Sequence, residues 1–176
     1  MHEVQRVRPV RTRWHVMSLA ILNDKPKSDP LWGAVRVSRA AADWAPTAGE
    51  DPSDVLGRLY TEIGTRFHLE KRERDVATIS DALVSARVPV ELAEAANTDR
   101  YDEELAASHA EAMDLVGQEV GTPVIAVGDA AFFGPVVTPA PKGEAAGLLW
   151  DGVLLVARTD GFFELKRSRT RPAITS

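Results

Sequence analysis

A catalytic centre in a chain of this kind would be built from cysteine, histidine, serine or paired carboxylates, and the sequence uses all of them sparingly. It has no cysteine, which excludes thiolate nucleophiles, disulfides and sulfur-ligated metals within these residues. His2, His15, His68 and His109 have no ligand spacing among them, so no metal site is expected. His109 falls on the apolar stripe of a helical pattern, where it reads either as a hydrogen-bonded core histidine or as an acid–base group. No serine stands in a nucleophile elbow. Gly128-Asp129-Ala130-Ala131-Phe132 lacks the spacing of a phosphate loop. Glu103-Glu104 and the run from Glu70 to Asp75 read as solvated charge rather than acid/base pairs. Two polar features remain. Asn23 ends the apolar run Leu19–Leu22, where asparagine commonly caps a turn. Thr122-Pro123 opens the short β-branched run to Val127, where proline is a natural strand start on an edge.

The elements that must position them follow from periodicity. Val10, Thr12, Trp14 and Val16 alternate with Arg11, Arg13, His15 and Met17, which predicts a strand. A helix is expected from about Leu31 to Ala42, then a loop from Asp43 to Asp54. Asp51-Pro52 supplies an N-cap and a first-turn proline for a helix with the stripe Val55, Leu56, Leu59, Tyr60, Ile63 and Phe67. Val76, Ile79, Leu83 and Ala86 mark another, closed by Pro89, and a short turn runs through Leu92 and Ala96 to Asn97. Tyr101, Leu105, His109, Met113, Val116 and Val120 predict a long helix, capped by Thr98 or Asp99 and acidic in its first turn. Gly128-Asp129 then reads as a two-residue hairpin turn between Pro123–Val127 and Ala130–Phe133. A last helix from near Gly143 is expected to bury Leu148, Leu149, Val153 and Val156, with Phe162-Phe163-Glu164-Leu165 docking behind it.

A net charge of −5 argues against a dedicated nucleic-acid binder. The basic stretch Lys166-Arg167-Ser168-Arg169-Thr170-Arg171 reads as an exposed tail. No apolar run approaches the roughly 18 residues that span a bilayer, and Arg6, Arg8, Arg11 and Arg13 have no apolar segment behind them such as a signal peptide needs. A cytoplasmic location is the default expectation, with no membrane and no nucleic acid among the partners. Trp14, Trp32, Trp44 and Trp150 read as core or groove lining, Trp14 being close enough to Asn23 in sequence to share a cleft.

Several multi-residue blocks, in order, carry a resemblance. His15-Val16-Met17-Ser18-Leu19-Ala20-Ile21-Leu22-Asn23, Val116 to Pro123, Phe132-Phe133-Gly134-Pro135-Val136 and Phe162 to Arg167 together resemble the actinobacterial DsbA-like proteins of the mycothiol-dependent nitroreductase group. Ser108-His109, Met113-Asp114 and Leu148 to Asp151 fit the same pattern, so the likeness runs from about Glu3 to Pro172. It implies an α/β, thioredoxin-like fold with a helical insertion. The incomplete core would comprise 1–22 and 121–176, and the insertion 31–120. It also implies that Thr122-Pro123 is cis, whereas a generic X-Pro bond is cis only about 5–6% of the time. In that role the proline presents the Thr122 backbone to a bound thiol peptide by strand-like pairing, and Asn23 faces the ligand. A thiol–disulfide oxidoreductase drawing electrons from mycothiol is the implied activity, with a low-molecular-weight thiol and a small-molecule or peptide acceptor as partners.

Two departures temper that activity. Family members begin with a strand and a Cys-Pro-Trp-Cys type motif at the start of the first helix. Met1-His2-Glu3-Val4 resembles the end of that helix. The expectation is therefore an N-terminally truncated form, missing the first strand and most of the first helix, with Met1 an internal methionine. Asn23 to Trp32 is also shorter than the corresponding family segment. In the implied fold the absent strand lies between the Arg11–Met17 and Pro123–Val127 strands. Its loss leaves backbone groups that cost about 1–3 kcal/mol each when buried unpaired. The expected chain is a catalytically incomplete oxidoreductase with no catalytic residues of its own and Asn23, Thr122 and Pro123 as substrate-binding residues. The alternatives are a redox-inactive thiol- or peptide-binding module of the same fold and a homo-oligomer joined through an exposed strand edge.

Overall fold

The computed structural model describes residues 1–168 and 170. Among them lie seven α-helices and one two-stranded antiparallel sheet: α1 (His2–Val7), α2 (Leu19–Leu22), α3 (Leu31–Trp44), α4 (Pro52–Gly64), α5 (Val76–Ala86), α6 (Asp102–Val116), β1 (Val124–Val127), β2 (Ala130–Phe133) and α7 (Glu144–Ala157). The chain divides into two compact units, one of Arg13–Glu119 and one of Met1–Thr12 with the chain from Val120 on.

The first unit is helical. Asp51 caps α4 by accepting the Ser53 N–H at 2.8 Å, and Asp75 caps α5 by accepting the Thr78 N–H at 2.8 Å. Each carboxylate fills an orphan donor of a first turn. Val37 of α3, Val55 and Leu59 of α4, and Ile79 and Leu83 of α5 form the centre of the core, joined by Ala93 and Ala96 of a 3₁₀ segment over Val90–Asn97. A second cluster joins Ala20 of α2, Trp32 of α3 and Leu105 of α6. Tyr60 leaves the expected stripe of α4: it is 65% exposed and stacks on Trp14, ring centroids 5.4 Å apart.

Two expectations in this unit are corrected. The predicted long helix stops at Val116, not Val120, because Gly117 turns the backbone to φ 79°. Neither Thr98 nor Asp99 gives it a side-chain cap; the Asp99 carbonyl accepts the Asp102 N–H instead.

The predicted strand over Arg11–Met17 is also not formed, although its burial alternates as expected, with Thr12, Trp14 and Val16 turned inward and Arg11, Arg13 and His15 exposed. A ladder needs a neighbouring strand. Helix side chains take that place here: the Trp14 N–H donates to Ser53 Oγ and the Val16 carbonyl accepts from Ser108 Oγ, both at 2.7 Å.

In the other unit β1 and β2 pair from Val124↔Phe133 to Val127↔Ala130, closed by Gly128 at φ 63° and Asp129. The hairpin is the one its turn residues predict. Val4 of α1 packs with Ala146 and Trp150 of α7, against Ile125 and Val127 of β1. The face of α7 differs from expectation: Ala146, Gly147 and Trp150 are buried, Leu149, Val153 and Val156 are half-buried and Leu148 is 63% exposed. This helix is apolar nearly all round, so its pattern does not select a face. The expected docking of Phe162–Leu165 is not observed, Phe163 being 96% and Leu165 82% exposed. Of the basic tail, Arg169 and Arg171 lie outside the described residues, as does Pro172.

Candidate functional site

Thr122 and Pro123 stand together at the entrance to β1, both exposed, joined by a cis peptide bond; Gly134-Pro135 and Thr138-Pro139 are cis as well. Gly121 lets the turn lie on Phe133, whose ring edge would sit 3.2 Å from a β-carbon there. The Pro123 carbonyl accepts the Gly134 N–H at 2.8 Å, extending the ladder one pair beyond β2. This fixes the parity of the strand. The main-chain groups of Pro123, Ile125 and Val127 turn toward β2, and those of Thr122, Val124 and Ala126 turn away from it. Among the described residues nothing bonds to the Thr122 main chain.

Asn23 belongs to the helical unit. Its Nδ2 donates to the Leu19 carbonyl at 2.7 Å and its own N–H reaches the same oxygen at 3.2 Å, so its side chain finishes α2. Beside it a groove of about 250 Å³ is lined by Ala20, Ile21, Lys25, Trp32 and Asp102. The groove is occupied by the protein's own charges. Lys27 places its Nζ 3.7 Å from the Trp32 ring centroid and 2.6 Å from Asp102 Oδ2. Arg36 grips Asp102 from within through Nε at 2.7 Å and Nη2 at 2.9 Å. Those bonds, with Lys27 adding to them against the cost of burial, hold the Asp102 carboxyl below its ordinary range.

His109 is buried on α6, and burial pushes its imidazole below the ordinary histidine value. The hydrogen-bond partner expected of a core histidine is missing: Nδ1 is buried without one among the described residues. Nor do the described residues bring together any three His, Asp or Glu side chains that could hold a metal ion.

The sequence reading missed a cluster around Arg8. Its guanidinium donates to Asp151 and Glu144 of α7 and to the Val7 carbonyl at 2.7 Å, packed over Gly147. Arg8 holds both carboxyls below their ordinary range, and they raise its own affinity for the proton. Glu3 accepts the Gly143 N–H at 2.9 Å beside the start of α7, which lowers its carboxyl likewise. The available signal was the seven-residue spacing of Glu144 and Asp151, which puts both on one helix face with Gly147 between them.

Chemically, this arrangement offers a main-chain edge at Thr122, charges that neutralise one another and a neutral buried imidazole. None is an activated nucleophile. The model of the Rv2466c-like family, described as the mycothiol-dependent nitroreductase Rv2466c, matches residues 1–167. The chain belongs to that family. No helix among the described residues is long and apolar enough to cross a membrane.

Proposed function

We propose that this chain is a DsbA-like, thioredoxin-fold relative of the mycothiol-dependent nitroreductases that cannot itself carry out dithiol chemistry. The observation that carries the reading is a family match over residues 1–167 in a chain with no cysteine. Exchange with mycothiol requires a thiolate to attack or be attacked. With no sulfur except thioether available, the residues present do not fit a mixed disulfide, and no step is routed through one. What they can offer a thiol or an extended peptide is non-covalent: the open Thr122 main chain beside Pro123. Cytoplasmic placement accords with this, because low-molecular-weight thiols stay reduced there.

Purified protein, given mycothiol and a disulfide or nitroaromatic acceptor, is expected to turn over no faster than the enzyme-free control. Turnover above that control would overturn the reading. A second reading, a redox-inactive binding module, is favoured by the open main chain at Thr122. It predicts saturable binding of mycothiol or a reduced peptide by a folded, monodisperse sample. Slowed amide exchange at Thr122 and Val124 would place the ligand, and the absence of saturation would remove this reading.

A further inference from the structure

We propose that the groove between α2, α3 and α6 is a binding site for a primary alkylammonium ion, closed by Lys27 as a tethered stand-in for the ligand. That ion is a free amine or a lysine side chain of another chain, the chemistry recognised being the same. The site lies wholly within the helical unit and shares no residue with Thr122 and Pro123, so it stands apart from the redox reading.

Lys27 shows what the groove takes. Its Nζ lies 3.7 Å from the centroid of the Trp32 ring and 2.6 Å from Asp102 Oδ2. An aromatic face beside a carboxylate is a recognition set for ammonium, because the ring quadrupole and the anion both attract the charge. Ala20, Ile21 and Ala106 supply an apolar wall along which an aliphatic stem can lie.

The receiving groups are fixed and their occupant is not. Trp32 is buried, and its Nε1 donates to the Lys25 carbonyl at 3.2 Å. Arg36 binds Asp102 from inside, through Nε to Oδ1 and Nη2 to Oδ2, which sets the carboxylate plane and leaves Oδ2 a further lone pair. Lys27 reaches that oxygen with an exposed side chain, and its main chain makes no hydrogen bond among the described residues. Rotating the lysine stem empties the site and leaves Trp32 and Asp102 in place. Exposed pairs of this kind are weak, so a dissolved amine has a tethered but feeble competitor to displace.

A second carboxylate has no occupant. Asp24 lines the same groove, and among the described residues its side chain makes no hydrogen bond or ion pair. Its backbone stands at φ 48°, a left-handed conformation that residues other than glycine adopt at a cost. With Lys27 swung out, Asp24 and Asp102 balance Lys25 and Arg36, so an incoming cation meets no net positive charge.

The test uses the full chain with 5-fluorotryptophan incorporated and follows the Trp32 resonance, assigned by Trp32→Phe, by fluorine NMR at constant ionic strength. n-Butylammonium, capped lysine and 1-butanol are titrated into the wild-type chain and into Lys27→Ala. Lys27→Ala is expected to bind n-butylammonium saturably, about threefold more tightly than the wild type, the gain from removing an exposed tethered competitor. 1-Butanol, with the same stem and no charge, should bind about tenfold more weakly. Adding Asp24→Asn to Lys27→Ala should weaken binding of the ammonium and leave the alcohol unchanged. Capped lysine matching the free amine assigns the site to a lysine of another chain, and weaker capped lysine assigns it to a free amine; either result carries the proposal. An unmoved Trp32 resonance, 1-butanol binding as tightly as the ammonium, or equal affinity with and without Lys27 would each overturn it.

Discussion

Arg8 and Asp151, 143 positions apart, meet side by side: Arg8 Nε donates to Asp151 Oδ1 at 3.0 Å and Nη2 to Oδ2 at 2.7 Å. The parallel bonds fix the guanidinium plane, and that plane lies over Gly147. A β-carbon at Gly147 would sit 2.7 Å from both Cζ and Nη1 of Arg8. The arginine and the glycine are thus one device joining α1 to α7. Helix propensity alone favours alanine over glycine by about 1 kcal/mol. Gly152→Ala, with nothing within 4 Å of the new methyl, should gain that amount. Gly147→Ala should instead lower the unfolding midpoint, because the guanidinium must leave its carboxylates. In an Arg8→Ala background the same substitution should become stabilising. Urea unfolding of the four variants reads the sign reversal; an equal gain in both backgrounds would show the contact to be idle.

Arg36 and Asp102 make the corresponding pair in the helical unit, with side chains only 7% and 14% exposed. Removing one charge leaves the other poorly solvated, so Asp102→Asn should cost about 2–3 kcal/mol. Lys27, on the same carboxylate but 61% exposed, should matter by less than about 1 kcal/mol when replaced by methionine. The carboxyl is lowered on folding, so its contribution is complete above the ordinary aspartate value of 3.8 and is lost as pH falls through the depressed folded value. Acid unfolding followed by circular dichroism should show that part of the slope missing in the asparagine variant.

His109 acts in the same sense at milder pH, through the cost of burying its charged form rather than through bonds to it. Its folded value lies below the ordinary 6.5, so the unfolded chain binds the proton more readily. Stability is therefore complete above pH 6.5 and falls as pH drops below it, levelling once the folded imidazole also protonates. His109→Leu removes both this slope and the unpartnered Nδ1. The variant should be about 1 kcal/mol more stable at neutral pH, the cost of a desolvated polar atom being relieved. Unfolding free energies at pH 7.5, 6.5 and 5.5 check it; a slope kept in the variant would place the proton elsewhere.

Where a local rule decides the outcome, the sequence was legible. Asp51-Pro52 starts α4 because a carboxylate and a proline suit the first turn, and Gly128-Asp129 closes the hairpin because glycine tolerates its φ of 63°. The Val10–Met17 alternation revealed which side chains point inward. It could not reveal that serines of two helices, 39 and 92 positions away, would take the place of a neighbouring strand. The exposed face of α7 was illegible for the reverse reason, since a helix with apolar residues all round leaves the choice to its neighbours. For the candidate site, Gly121-Thr122-Pro123 announced a turn into a strand. Its use by a ligand rests on the family likeness, because no side chain there carries reactive chemistry.

The seat of Trp14 gives a final prediction. Its indole lies on the bare backbone of α4 at Gly57, where a β-carbon would come within 2.8 Å of Nε1 and 3.0 Å of Cδ1. The ring stacks on Tyr60 one turn further along, interplanar angle 27°. Gly57→Ala gains about 1 kcal/mol of helix propensity and forfeits an aromatic contact worth about 0.5–1.5 kcal/mol, so the net stability change should be small. The indole, however, must move. With 5-fluorotryptophan incorporated, fluorine NMR resolves the four tryptophans of the chain. Gly57→Ala and Tyr60→Ala should each shift one resonance, and it should be the same one. Because the Trp14 N–H is itself bonded to Ser53 Oγ, amide exchange at Trp14 should quicken in Gly57→Ala. An unmoved spectrum would mean the indole does not rest on that glycine.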